Sequence, residues 1–248
     1  MRFRLLTIAA LAAAATFSLA QSPPATRPAG PTTTGDLTVG RAQRGTLATR
    51  FLDQHQQYLD RVKQGDIDVV FFGDSITNKW RDVPELWKER FEPLKAVNFG
   101  INGNAIEHVL WRIEHGELDG ITPKVVVLMI GTNNSNRKYS ASIVRGIRHL
   151  VDVIHEKSPA AKVLLMAILP RDRPKEAERS PIIDAVNSGL AQLYNGTSVR
   201  LLNINDRFLN ADGTLKAELF TDRLHLTPAG YRVWADALRP LLDEMLKP

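Results

Sequence analysis

Cysteine is absent from the 248 residues. That excludes disulfides, a thiolate nucleophile and lipid attachment through a lipobox cysteine. No dense His/Asp/Glu cluster carries metal-ligand spacing, so the residues offer no sign of a metal site. The two glycine patterns that cradle nucleotide phosphates, G-x-G-x-x-G and the P-loop, are also missing. Lys and Arg form no stripe interleaved with aromatics. They are mixed with acids instead, as between Arg171 and Arg179, so nucleic acid is not an expected partner. There is no internal repeat, and no apolar run reaches the roughly 20 residues that a bilayer span needs.

What is present starts with the first twenty residues. Arg2 and Arg4 precede a mostly apolar run, Leu5 to Ala15, and the stretch closes on Ser18-Leu19-Ala20. A basic start, an apolar middle and small residues before a cut describe a secretory signal peptide over residues 1–20, cleaved after Ala20. Counted as far as Ala20 the run is only about 16 residues, short for a retained anchor. The expected location is therefore secreted or periplasmic, with no stable membrane span after cleavage. Residues 21–45 are rich in Pro, Thr, Gly and Ala, and such a segment cannot bury enough surface to offset its ordering entropy. They read as a flexible tether. Loss of Arg2 and Arg4 lowers the formal charge from +5 to +3. Residues 46–248 suit one α/β domain, large enough to be held by its core without disulfides.

Within that domain Leu52, Tyr58, Leu59 and Val62 fall at roughly helical spacing, predicting a first helix that ends near Gly65. The run from Ile67 to Phe72, bounded by Gly73, reads as a buried strand. Further strands are expected at Ala96–Phe99, Val125–Ile130, Lys162–Ala167 and Val199–Leu202. Helices are expected at Ala105–Ile113, Ser140–Lys157, Glu176–Tyr194 and Ala229–Leu246. Thr227-Pro228 gives the last of these a good N-cap followed by a good first residue. Strands alternating with helices imply crossover connections and a parallel sheet covered on both faces. Ligands of such sheets bind outside the carboxyl ends of the strands, so the residues just after each strand are the informative ones.

Ser75 follows the first strand in Gly73-Asp74-Ser75-Ile76-Thr77. There it can present its hydroxyl at the sheet rim, with a helix N-terminus favouring negative charge, or it can serve as a plain N-cap. After the second strand, Gly100 and Gly103 in Phe99-Gly100-Ile101-Asn102-Gly103-Asn104 bring a backbone N–H close to a ligand or simply make a turn. Asn133, in Gly131-Thr132-Asn133-Asn134, can aim an amide donor across the rim or close an Asx-turn. Asp222 and His225 are three apart, so one turn can hold a general base and the carboxylate that fixes its tautomer. The other five histidines, His55, His108, His115, His149 and His155, sit in or beside predicted helices and read as core or solvated residues. Taken singly these signals are weak. Together they supply a nucleophile, a backbone donor, an amide donor and a base pair, each where an α/β site must lie. Arg171 to Pro181 follows the fourth strand as a rim-lining segment or a solvated charged loop.

Those blocks resemble the SGNH (GDSL-type) hydrolases. Gly73-Asp74-Ser75-Ile76 is similar to the first block, Gly103 to the glycine block, Asn133 to the asparagine block and Asp222-x-x-His225 to the last. The resemblance spans roughly residues 65 to 245. Within the family the chain is most similar to the catalytic subunits of brain-type platelet-activating factor acetylhydrolase. Asn98–Ile101, His108–Arg112, Gly131–Asn134, Leu169–Arg171 and Leu224–Leu226 carry that likeness, whereas Asn102 and Asn104 replace a Gly and an Asp. The resemblance implies a flavodoxin-like three-layer α/β/α sandwich with a five-stranded parallel sheet. It also implies catalysis without metal or organic cofactor, and a homodimer as in the related subunits.

The expected function is that of a secreted serine ester hydrolase. His225 takes the Ser75 proton, Asp222 orients the imidazolium, and the Ser75 and Gly103 N–H groups with the Asn133 amide hold the oxyanion. Short acyl groups, above all acetyl groups on a carbohydrate or other small-molecule ester, are the expected substrates. The alternatives are a lysophospholipase or thioesterase for longer chains, or a non-catalytic carbohydrate-binding protein on the same fold.

Overall fold

The structure, a computed structural model, describes residues 46–135, 139–171, 179–193 and 196–247. The expected signal peptide (1–20) and tether (21–45) lie outside the described residues. Five strands form one sheet: β1 (Val69–Gly73), β2 (Ala96–Gly100), β3 (Val125–Met129), β4 (Lys162–Met166) and β5 (Val199–Leu202). They lie in the order β2-β1-β3-β4-β5, and every neighbouring pair is parallel. The chain steps from β1 outward to β2 and then crosses to β3 on the other side. That reversal opens a crevice at the carboxyl end of β1.

The strands are near-continuous Val, Leu and Phe because both faces of the sheet are covered. Alternate residues serve opposite layers. Val70, Phe72, Val126, Leu128, Val163 and Leu165 pack against α1 (Thr46–Lys63), α4 (Ile106–Arg112), α5 (Ser140–Lys157) and α6 (Arg179–Leu190). Val69, Phe71, Val125, Val127, Leu164 and Met166 pack against α2 (Ser75–Asn78), α3 (Pro84–Arg90) and α7 (Pro228–Met245). The fold is thus the expected α/β/α sandwich on a five-stranded parallel sheet.

Several local expectations shift. In α1 the buried face is Phe51, His55, Tyr58 and Val62, whereas Leu52 is 47% exposed. The i, i+4, i+7, i+11 spacing therefore starts one residue earlier than the leucine pattern suggests. Helix α3 lies where no element was expected. It opens on Pro84 as its first residue, with Leu86 buried against the sheet, and is too short to show a periodicity. The expected helix Ala105–Ile113 continues into a widened turn, Ile113–Glu117, within which Gly116 adopts φ +105°. The expected Glu176–Tyr194 helix is α6, followed by a single tight turn, Ala191–Leu193. Residues 176–178 and 194 lie outside the described set. Among the described residues no helix is long and apolar enough to cross a membrane.

Candidate active site

Strand β1 runs into Gly73, whose added Cβ would overlap the Thr77 side chain, so only glycine lets α2 fold back this tightly. Asp74 caps α2, its carboxylate accepting the Ile76 N–H at 2.9 Å. Ser75 is the first residue of the helix and is half-buried. The serine is therefore not the cap: Asp74 is, and the hydroxyl is left for other work. Ser75 Oγ lies 2.9 Å from His225 Nε2.

His225 belongs to the turn before α7. The turn is pinned by a bridge between Phe220 and Leu226 and by the Thr221 N–H donating to the His225 carbonyl at 2.8 Å. Arg223 adopts φ +65°, a left-handed conformation that curls the chain around Asp222. As a result both oxygens of Asp222 point inward. Oδ2 lies 2.8 Å from His225 Nδ1, and Oδ1 accepts the N–H groups of His225 (2.7 Å) and Leu224 (3.2 Å). Partial burial acts to raise the carboxyl pKa. The His225 N–H, the imidazole and the Leu224 N–H outweigh it, and Asp222 is held below the ordinary carboxylate range. Asp222 thus stays ionised and bonds one imidazole nitrogen, while the other faces the serine.

The remaining residues sit on two adjoining loops. Gly103 is exposed after β2 at φ +71°. Asn133, after β3, donates one amide N–H to the Asn104 carbonyl at 2.8 Å. A primary amide has two such hydrogens, so the contact orients the group and leaves one for a ligand. Asn134 fastens the same loop from behind. It accepts the Ile106 N–H at 3.0 Å and donates to Glu107 Oε2 at 2.7 Å. The structure thus brings Ser75, His225 and Asp222 into one hydrogen-bonded line, and ties the Asn133 loop to the Gly103 loop.

Two buried groups beneath the site escaped the sequence reading. Asp74 is 1% exposed, and burial pushes its carboxyl up to about 7 against the Ile76 N–H and Arg171. Arg171 is 4% exposed and donates to Ser135 Oγ at 2.6 Å, and that hydroxyl in turn donates to the Thr132 carbonyl at 2.8 Å. Arg171 is therefore no part of a solvated loop: it anchors the β3 loop from below. Residues 172–178 of that segment lie outside the described set, and Pro181 is already in α6. Arginine directly after a buried strand and Leu-Pro was the available signal for this role.

Comparison with known proteins follows the same lines. The sequence model described as the GDSL-like lipase/acylhydrolase family matches residues 71–233, from within β1 into α7. Platelet-activating factor acetylhydrolase IB subunit alpha2 of Rattus norvegicus is 35% identical over 201 residues, covering 80% of this chain and 86% of the relative. Two solved structures share the fold. A GDSL-like lipase from Bacteroides thetaiotaomicron superposes with a TM-score of 0.62 at 21% identity, over 72% of this chain and 88% of that one. An acetylxylan esterase from Geobacillus stearothermophilus does so with a TM-score of 0.55 at 21% identity, over 73% and 94%.

Proposed function

The chain belongs to the GDSL-like lipase/acylhydrolase family, and we propose that it is a serine esterase whose nucleophile is Ser75. The observation that carries this reading is the unbroken line from Ser75 Oγ through His225 to Asp222, at 2.9 and 2.8 Å. His225 accepts the hydroxyl proton as Oγ attacks the ester carbonyl. Asp222 keeps the imidazole in the tautomer that can accept it and stabilises the imidazolium formed. The negative oxygen is met by the Ser75 and Gly103 N–H groups and by the second amide hydrogen of Asn133. The alcohol departs with the proton from His225, and water then releases the acyl group from Ser75.

Short acyl groups, acetyl first, are the proposed substrates, carried by a carbohydrate. Support comes from the acetylhydrolase relative at 35% identity and, at the level of fold, from the acetylxylan esterase. The run before Ala20 supports export, and mass spectrometry of the N-terminus of protein from the expressing cell would reveal a chain starting at Gln21.

The deciding assay compares p-nitrophenyl acetate with the octanoate for wild type and Ser75→Ala. Acetate turnover that Ser75→Ala lacks is the expected result. A preference for octanoate replaces the short-acyl reading with a long-chain one. Equal rates for the two proteins leave a ligand-binding protein on this fold.

A further inference from the structure

The open edge of the sheet carries a second concavity. A cavity of about 480 Å³ lies where α1, the turn after α2, α3 and β2 meet, and Tyr58, Arg61, Arg81, Trp87, Glu92 and Asn98 line it. Its volume falls within the roughly 300–1,000 Å³ of small-molecule sites. None of its lining residues belongs to the Ser75 site.

Two of its lining side chains are guanidiniums. Arg61 donates to the Gly65 carbonyl at 2.7 Å, and Arg81 to Tyr58 Oη at 3.1 Å and the Asn98 carbonyl at 3.2 Å. These acceptors are neutral. Among the described residues neither guanidinium forms an ion pair, whereas Lys63, Lys79, Arg90, Lys124, Lys157, Arg200 and Arg239 each reach a carboxylate within 4.0 Å. Two guanidiniums held only by neutral acceptors on one concavity present the planar fork that takes a carboxylate through paired N–H donors. Trp87, half-buried, gives the cavity an apolar wall. Trp80 also lines it, and its indole N–H is buried with no acceptor in the protein.

We infer that this cavity binds an anionic sugar, a hexuronate unit of an acidic saccharide. The carboxylate meets Arg61 and Arg81, the C–H face of the ring packs on Trp87, and the hydroxyls donate to Glu92. Inorganic phosphate matches the lining poorly. As a dianion it brings few or no donors for Glu92 and suffers its charge, whereas a uronate brings one charge and several hydroxyls. The inference concerns binding alone and stands apart from the catalytic reading.

The test is calorimetric titration of the full chain with trigalacturonate, xylotriose and inorganic phosphate, none of which contains an ester. Trigalacturonate is expected to bind at least tenfold more tightly than xylotriose. The Arg61→Gln/Arg81→Gln protein should lose roughly tenfold to a hundredfold of that affinity, the range for hydrogen bonds to charged groups. Arg81→Lys, which keeps the charge and loses the fork, should lose less and serves if the double variant melts early. Ser75→Ala should bind trigalacturonate like wild type. Absence of trigalacturonate binding, equal binding of xylotriose, or displacement of the saccharide by equimolar phosphate would each overturn the inference. So would loss of binding in Ser75→Ala, which would put the sugar in the esterase crevice instead.

Discussion

His225 and His55 each hold a carboxylate through Nδ1, at 2.8 Å to Asp222 and 2.7 Å to Glu117. By distance the two pairs are alike, yet their surroundings are opposite. His225 stands at the carboxyl end of β1 with Ser75 Oγ on its other nitrogen, beside a carboxylate whose side chain is 47% exposed. His55 lies on the inner face of α1 with its ring against Trp111, and Glu117 is fully buried. Glu117 is also shared. Arg112, itself fully buried, approaches it at 3.1 Å, donates to the Phe99 carbonyl at 2.8 Å, and lies over the rings of Tyr58 and Phe72. Arg112 and His55 hold the Glu117 carboxylate from two sides. The inner pair therefore fastens α1, the Ile113–Glu117 turn and β2 together, while the outer pair keeps its second imidazole nitrogen on the Ser75 hydroxyl, where the proposed proton transfer takes place. What an imidazole faces on its second nitrogen decides its use more than its carboxylate distance does.

The sharpest way to break this contrast is to make the same change in both pairs. His225→Gln should lower kcat on p-nitrophenyl acetate by roughly 10⁴- to 10⁶-fold, the scale of triad knockouts, with little change in thermal melting. His55→Gln should do the reverse, costing about 1.5–3 kcal/mol of stability for a hydrogen bond to a buried charge while kcat of the folded protein stays near wild type. A crossed result, with His55→Gln catalytically dead and fully stable, would remove the distinction.

Glu117→Gln sharpens it further, because it leaves Arg112 buried with no counter-charge. Breaking a buried pair in this way costs about 3–5 kcal/mol, enough to be read in denaturant melts as a large fall in midpoint. Asn133→Ala belongs to the outer region and should show in kinetics instead. Loss of a side-chain oxyanion donor lowers kcat roughly 10²- to 10³-fold, with KM and melting little changed. Full activity in that variant would leave the oxyanion to the backbone donors.

The outer region was the more legible from sequence, and for a physical reason. Asp222 and His225 are three residues apart, Ser75 follows an evident strand, and each falls where a parallel sheet must place its chemistry. The inner pair joins residues 62 apart, and nothing in a linear spacing marks them as neighbours. Arg112 was visible only within a segment shared with relatives, since a guanidinium on a short helix looks solvated until its partners are known. The strands could be read because burial on both faces demands continuous Val, Leu and Phe. Helix α3 could not, because seven residues, the first a proline, give too few turns for a period. The Leu52-for-Phe51 shift has a similar origin: adjacent apolar residues both fit a helical stripe, and only packing against His108 and Trp111 chooses between them.

Asp74 tests whether the contrast between a matched inner carboxylate and a working outer one is complete, since it is buried like Glu117 yet adjoins Ser75. Its carboxyl is pushed up to about 7 by burial, against the Ile76 N–H and Arg171. A carboxyl raised in the folded state holds its proton there at a pH where the unfolded chain has lost it. Folding therefore takes up a proton between about pH 4 and pH 7, and stability falls as pH rises through that window, by at most about 1.4 kcal/mol per pH unit. Asp74→Asn keeps an oxygen for the Ile76 N–H, so the cap survives, and removes the titration. Thermal melts from pH 4 to pH 8 should then show the variant gaining on wild type as pH rises, with the gap levelling off above pH 7. A constant gap would mean that Asp74 ionises in the folded protein as it does in the unfolded chain, with Arg171 compensating its burial. A growing gap would instead set Asp74 apart from both pairs, as a carboxyl that serves the site through its hydrogen bond to α2 and not through its charge.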